Sequence, residues 1–218
     1  MFGDAFEGVE ESVLKEKDGK LEILDCFFSS SAMDLVMKSM ILHVESGELK
    51  MSETLFSGIH SSVPLLSFRG ESGASIVETR MLNIECEGEI VRVGEKAKVE
   101  MKEVKFEYIS VAIEGSVMKM DGAERGLSVL NCSFVKCRST KEKGRMMEIC
   151  ECLDVKIDNC LFNGSSKERK EYHLNEEEEM CKWDESLVDV VKSSVLMKDT
   201  AISNSPEGGI TMSEKTYG

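Results

Sequence analysis

Four carboxylates, Asp25, Glu53, Glu78 and Glu103, stand at equivalent points of a pattern that runs through the 218-residue chain. Carboxylate oxygens stacked in this way could hold a hard cation such as Ca²⁺. The series continues as Asn131, Asn159 and Asp199, so every member is an acid or its amide. A second chemistry fits the same positions. Asp and Asn tolerate left-handed backbone, bond locally at bends, and stack into side-chain ladders. Ca²⁺ sites gather several ligands close together, whereas this pattern offers one ligand per repeat, which favours the bend reading. Glu is poorly suited to a left-handed bend, so that reading leaves Glu53, Glu78 and Glu103 as solvated charges.

Asp154, Lys156 and Asp158 place a base between two acids, the residue types of a polysaccharide lyase or glycosidase. Asp154 opens its segment and Asp158 closes it, so spacing alone does not bring the two together. His43, His60 and His173 fall at unrelated points and pair with no Ser or Cys motif. No catalytic residue is therefore assigned. Of eight cysteines, Cys26, Cys132 and Cys160 share one series with Thr54, Thr79, Val104 and Thr200. Small, slightly polar side chains in such a series fit an interior ladder, with Cys acting as a compact hydrophobe. Cys132 and Cys160 fall on adjacent repeats, within reach of a disulfide, but two buried thiols are the preferred reading. There is no Cys-x-x-Cys pair, and neither a zinc site nor a cofactor is expected.

These residues are positioned by one eight-residue pattern: apolar, any, apolar, any, any, small, any, large apolar. Its copies begin at Leu21, Leu49, Ala74, Val99, Leu127, Val155 and Val195, and the first, third and eighth positions are apolar in all of them. The eighth reads Phe28, Phe56, Met81, Phe106, Phe134, Phe162 and Ile202, an aromatic stack belonging to a core. A shorter alternating element precedes each later copy, with apolar pairs Leu42/Val44, Leu66/Phe68, Val91/Val93, Met118/Met120, Met147/Ile149 and Val188/Val190. Period-two alternation marks strands. Turn residues such as Glu45-Ser-Gly-Glu48 separate the two elements and leave no room for a helix of usual length. Stacked units of this kind predict an all-β, single-stranded parallel β-helix of about seven rungs. A leucine-rich repeat would need another apolar residue three positions before each copy; Asp18, Ser46, Glu71, Lys96, Glu124, Cys152 and Lys192 stand there instead, six of them polar.

The runs Leu127-Ser-Val-Leu-Asn-Cys-Ser-Phe-Val-Lys-Cys137 and Val155-Lys-Ile-Asp-Asn-Cys-Leu-Phe-Asn-Gly-Ser165 resemble rungs of right-handed parallel β-helix proteins of the pectin-lyase-like group. More narrowly, they are similar to repeats of protist surface β-helix proteins and of chlamydial polymorphic outer-membrane proteins. The resemblance spans roughly residues 19 to 212 and implies right-handedness and a cell-surface or extracellular setting. The Gly-Gly-Ala-Ile type of strand opening survives only as Gly208-Gly-Ile210, and the start of the chain shows no basic and apolar regions of a signal peptide.

Twenty-seven Lys and Arg against forty-one Asp and Glu give a net charge of −14, which repels a phosphate backbone and argues against a nucleic-acid partner. No transmembrane segment is visible, because no apolar run approaches the length of about 18 residues that one needs. Residues 1–18 are expected to be a cap or partly ordered lead-in, with Phe2, Phe6, Val9 and Val13 at the spacing of a short covering helix. Residues 19–218 form the β-helix, with an acidic insertion near 165–186. Its Glu176, Glu177, Glu178 and Glu179 run and lone Trp183 form either a partner contact or, as preferred, a solvated loop. A terminal rung without a cap predicts end-to-end self-association. The function expected is a non-enzymatic structural or surface-interaction module that presents an elongated acidic face to protein or glycan partners. The alternatives are a carbohydrate-active β-helix enzyme and an intracellular binding scaffold.

Overall fold

The structure, a computed structural model, describes residues 12–16, 18–29, 36–111, 116–124, 126–139, 145–164, 187–203 and 209–213. Among them there are strands, bends and turns and no helix. The chain winds through three sheets in turn. The first has eight strands, from Ser12–Glu16 to Ile210–Ser213; the second has seven, from Gly19–Leu24 to Val195–Lys198; the third has seven, from Phe27–Ser29 to Ala201–Ser203. Every strand pairs in parallel with its equivalent one repeat away, which makes the molecule a parallel β-solenoid.

The pattern of the sequence is the register of the sheets. Leu21 pairs with Leu49, Leu49 with Ala74, Ala74 with Val99, and the series runs on through Leu127 and Val155 to Val195. Apolar residues at alternate positions of each strand point inward, where they merge into one continuous core. The aromatic column stacks face to face. Ring centroids lie 4.8 Å apart for Phe28–Phe56, 4.7 Å for Phe106–Phe134 and 4.8 Å for Phe134–Phe162, and Met81 fills the gap between Phe56 and Phe106.

A strand can turn a corner within one residue only if that residue leaves the extended region. Between the second and third sheets, Asp25, Glu53, Glu78, Glu103, Asn131, Asn159 and Asp199 all have φ between 47° and 59°. The three glutamates thus take the left-handed bend as readily as the Asp and Asn members, contrary to the expectation that Glu would not serve there. The following residue secures the bend by donating to the carbonyl two positions back. Thr54 Oγ1 reaches Ser52 O at 2.9 Å, Thr79 reaches Val77 O at 3.1 Å, and Cys132 and Cys160 reach Leu130 O and Asp158 O at 3.3 Å. This accounts for Thr or Cys at six of the column's seven positions; Val104, the seventh, fills the space without donating. Thr and Cys are both small, and both carry a hydrogen to donate.

Within the segment read as a lead-in, Ser12–Glu16 is the first strand of the first sheet, paired with Met40–Val44; Val13 therefore belongs to a strand and not to a helix. Phe2, Phe6 and Val9 lie outside the described residues. At the other end, Ile210 and Met212 continue interior columns above Val188 and Val190, yet are 41% and 69% exposed.

Candidate functional site

The sequence candidates are distributed rather than gathered. Asp25, Glu53, Glu78 and Glu103 line one corner of the solenoid, each one rung from the next, with their side chains at the surface. No group of three or more His, Cys, Asp or Glu side chains converges for a metal among the described residues. The amides of the same column do interact: Asn159 Nδ2 donates to Asn131 Oδ1 at 2.8 Å. Lys156 Nζ lies 3.4 Å from Asp154 Oδ1, both well exposed, on the outer face of the second sheet. Glu176, Glu177, Glu178, Glu179 and Trp183 lie outside the described residues. The seven described cysteines are free thiols. A hydrogen bond with Cys160, then burial, holds the Cys132 thiol far above its ordinary range.

The outer face of the first sheet carries more chemistry than any of these. Its middle outward column reads His43, Ser67, Arg92, Lys119, Glu148, Asp189 and Thr211, in register from strand to strand. Here charged groups are drawn into the protein and pair with one another, as partly buried charges must. Arg92 Nη2 meets Glu89 Oε2 at 2.8 Å, Lys119 Nζ meets Glu148 Oε1 at 3.2 Å, and Arg145 Nη1 meets Asp189 Oδ2 at 3.2 Å. His43 Nε2 lies 3.5 Å from Glu45 Oε1. Ser67, between His43 and Arg92, is fully buried, and its Oγ has no hydrogen-bond partner among the described residues. Beside Glu148, the Cys150 thiol is pushed up to about 12, first by burial and then by the Glu148 carboxylate, which lies 3.6 Å from its sulfur.

Next to this column the surface sinks into an open depression of about 600 Å³ crossing three rungs. Gly94 creates it. It continues the chain past Val93 between the rungs of Arg69 and Asp121, and it supplies no side chain where they supply long or charged ones. Arg69, Arg92, Lys96 and Lys119 line it together with Glu89, Glu95 and Asp121, so charges of both signs are intermixed there. The Glu95 side chain lies across Gly122, where an added Cβ would come within 2.9 Å of its Cγ, so this second glycine leaves room for the carboxylate. Glu89, Arg92 and Lys119 are already paired, whereas the side chains of Glu95, Lys96 and Asp121 are exposed and form no ion pair or hydrogen bond among the described residues.

Comparison with protein-family models, curated proteins and solved structures finds no match. Sequence reasoning missed this site because it tracked the apolar residues that flank the middle position of each short strand, such as Val91 and Val93, and passed over the residue between them. The available signal was the run of polar residues at that middle position.

Proposed function

We propose that the chain is a non-enzymatic binding scaffold: a rigid solenoid that holds charged side chains at rung spacing and presents them to protein or glycan partners. The observation that carries this reading is the open, mixed-charge depression around Gly94, set on a sheet whose inner face is locked into a continuous core. A site of that kind arrives pre-organised, so a partner meets fixed groups and little ordering cost is incurred at the protein side. The likeness of the rungs at Leu127–Cys137 and Val155–Ser165 to pectin-lyase-like and surface β-helix repeats supports a display role at a cell surface.

A carbohydrate-active enzyme is the second reading, because Glu95 and Asp121 are two open carboxylates beside basic groups. Acid–base hydrolysis needs two carboxyl groups whose environments separate their roles. Glu95 and Asp121 both stand at the exposed rim, with nothing that distinguishes an acid from a base. Binding is favoured for that reason. The test is to incubate the full chain with neutral, acidic and amino polysaccharides and to follow retention and new reducing or unsaturated ends together. Retention of a polymer, or of a protein partner, without product supports the scaffold. Product formation that disappears in Asp121→Asn overturns it in favour of the enzyme.

A further inference from the structure

The two outer strands of the first sheet differ in what they offer. Ser12–Glu16 and Ile210–Ser213 each pair on one side only among the described residues. Leu14 pairs with Leu42 and Glu16 with Val44, so those two residues hold the interior columns at one edge. Ile210 and Met212 hold the same columns at the other, and both are exposed. Charge guards the first edge, as Lys15 and Glu16, and none guards Ile210-Thr-Met-Ser213. The main-chain groups of a strand point to its two sides in turn. Val188 N donates to Gly209 O at 3.1 Å and Lys192 N donates to Ser213 O at 3.2 Å, so alternate residues from Gly209 to Ser213 face the stack. The N–H and C=O groups of Ile210 and Met212 therefore face away from it, with no partner among the described residues.

We infer that the strand Ile210–Ser213 pairs antiparallel with the same strand of a second copy, about a two-fold axis through Thr211. An uncapped rung by itself implies only some end-to-end contact; here the edge, the register and a closed two-chain product are specified. An axis at Thr211 sets Ile210 opposite Met212 of the second copy, and Met212 opposite its Ile210. Both are pairs of the kind that exchanges two main-chain hydrogen bonds, and the groups they need are the ones that face outward. Thr211, whose own groups face the stack, falls opposite itself at the closer, non-hydrogen-bonded spacing. On the core side each apolar residue then meets an apolar residue. On the outer side Thr meets Thr and Gly209 meets Ser213, so no charge stands in the contact. The other edge does not fit. A copy stacked head to tail would place Glu16 over Met212 in an interior column, and two copies joined at Ser12–Glu16 would each bring that carboxylate to the core side. The self-complementary order Gly209-Ile-Thr-Met-Ser213 also favours a second copy over a foreign extended segment. An isologous contact uses up the edge and closes at two chains, whereas a head-to-tail contact would continue into a filament. The contact is one strand wide, so association is weak, with a dissociation constant on the order of 0.1 mM.

The test uses the full chain and three variants: Thr211→Cys, Ser213→Cys, and Thr211→Cys combined with Met212→Lys. Across the axis the two Thr211 Cα atoms lie about 4.5 Å apart, within the range of a disulfide, whereas the two Ser213 Cα atoms lie four residue steps apart, roughly 13 Å. The seven described cysteines are buried or half-buried, so the parent chain reports the background. With oxidised glutathione as oxidant, Thr211→Cys is expected to form a covalent dimer at least tenfold faster than Ser213→Cys or the parent, and Met212→Lys slows that reaction at least tenfold. In sedimentation equilibrium up to about 1 mM, the parent is expected to rise from the mass of one chain toward that of two and no further. Equal cross-linking at positions 211 and 213 overturns the register, and growth past two chains overturns the two-fold closure. A chain that stays single at 1 mM overturns the dimer altogether; amide shifts confined to residues 210–213 on adding the capped peptide Val-Thr-Val-Thr would then assign the edge to strand addition by a foreign segment. None of these readouts involves the depression around Gly94, and the dimer is therefore tested separately from the binding reading.

Discussion

Seven side chains at one corner share φ values of 47° to 59°, and three of them are glutamates. Left-handed backbone costs an L-residue roughly 1 kcal/mol, and Asn is among the residues that bear it best. Glu53, Glu78 and Glu103 accept that cost and also stack like charges one rung apart, about 4.8 Å. Replacing Glu78 by Asn should relieve both and offer an amide to the neighbouring carboxylates, as Asn159 already offers one to Asn131. Stability is expected to rise by about 0.5–1 kcal/mol in guanidinium unfolding, and a loss would show that the glutamate makes a contact that offsets its backbone. The opposite case is Gly47, at φ 93°, where a Cβ would fall 2.4 Å from Gly19 O and 2.7 Å from Gly19 N. Neither backbone atom can move without breaking the pairing of Gly19 with Gly47. Gly47→Ala should therefore destabilise by more than about 2 kcal/mol, several times the cost of the same change at Gly88, which has open space around it.

At the scale of strands, the aromatic column is the element whose loss should be felt most. Phe134 lies between Phe106 and Phe162 with rings nearly parallel on both sides and no exposure. In-register parallel strands leave no slack for a neighbour to fill the space, so Phe134→Ala should cost about 3–5 kcal/mol. Ile202→Ala, at the partly buried end of the same column, should cost clearly less by the same denaturant measurement. Equal costs would mean that the stack unfolds from its middle as easily as from its end. These columns were legible in the sequence because a parallel in-register stack turns the repeat into the pairing: the residue opposite Leu49 is simply its equivalent one copy on. The polar column of the first sheet was not. Outward positions need not repeat a type, so His43, Ser67, Arg92, Lys119, Glu148 and Asp189 share a location and no residue class. The left-handed glutamates escaped for a related reason, since the register demands the bend and overrides the residue's own preference.

Among the described residues, the interior columns of the stack reach the surface at Ile210 and Met212. Met212 and Ile210 belong to those columns and stand open, so a second copy can bury them by stacking on the same strand. Sedimentation velocity should show association that grows with concentration and is suppressed in Met212→Lys; a single monomeric species at all concentrations would rule out end-to-end assembly. The closed part of the stack predicts a different property, a dependence on alkaline pH set by its thiols. Burial pushes the Cys86 thiol up to about 11 and the Cys137 thiol to about 12, against 9.0 for an unperturbed thiol. Both side chains are essentially without solvent exposure. A raised pKa in the folded state means that the unfolded chain releases these protons first. The stability they confer is therefore complete below about pH 9, and it is lost as pH climbs toward the folded values. Over that window each thiol should steepen the fall by about 1.4 kcal/mol per pH unit. Other groups also titrate above pH 9, so the decisive comparison is with Cys86→Ala and Cys137→Ala. These variants are less stable at neutral pH because of the lost packing, but their stability should decline less steeply between about pH 9 and 11. Parallel profiles for the parent and both variants would mean that the interior opens to water before its thiols ionise, and the stack would then be a looser object than its continuous core implies.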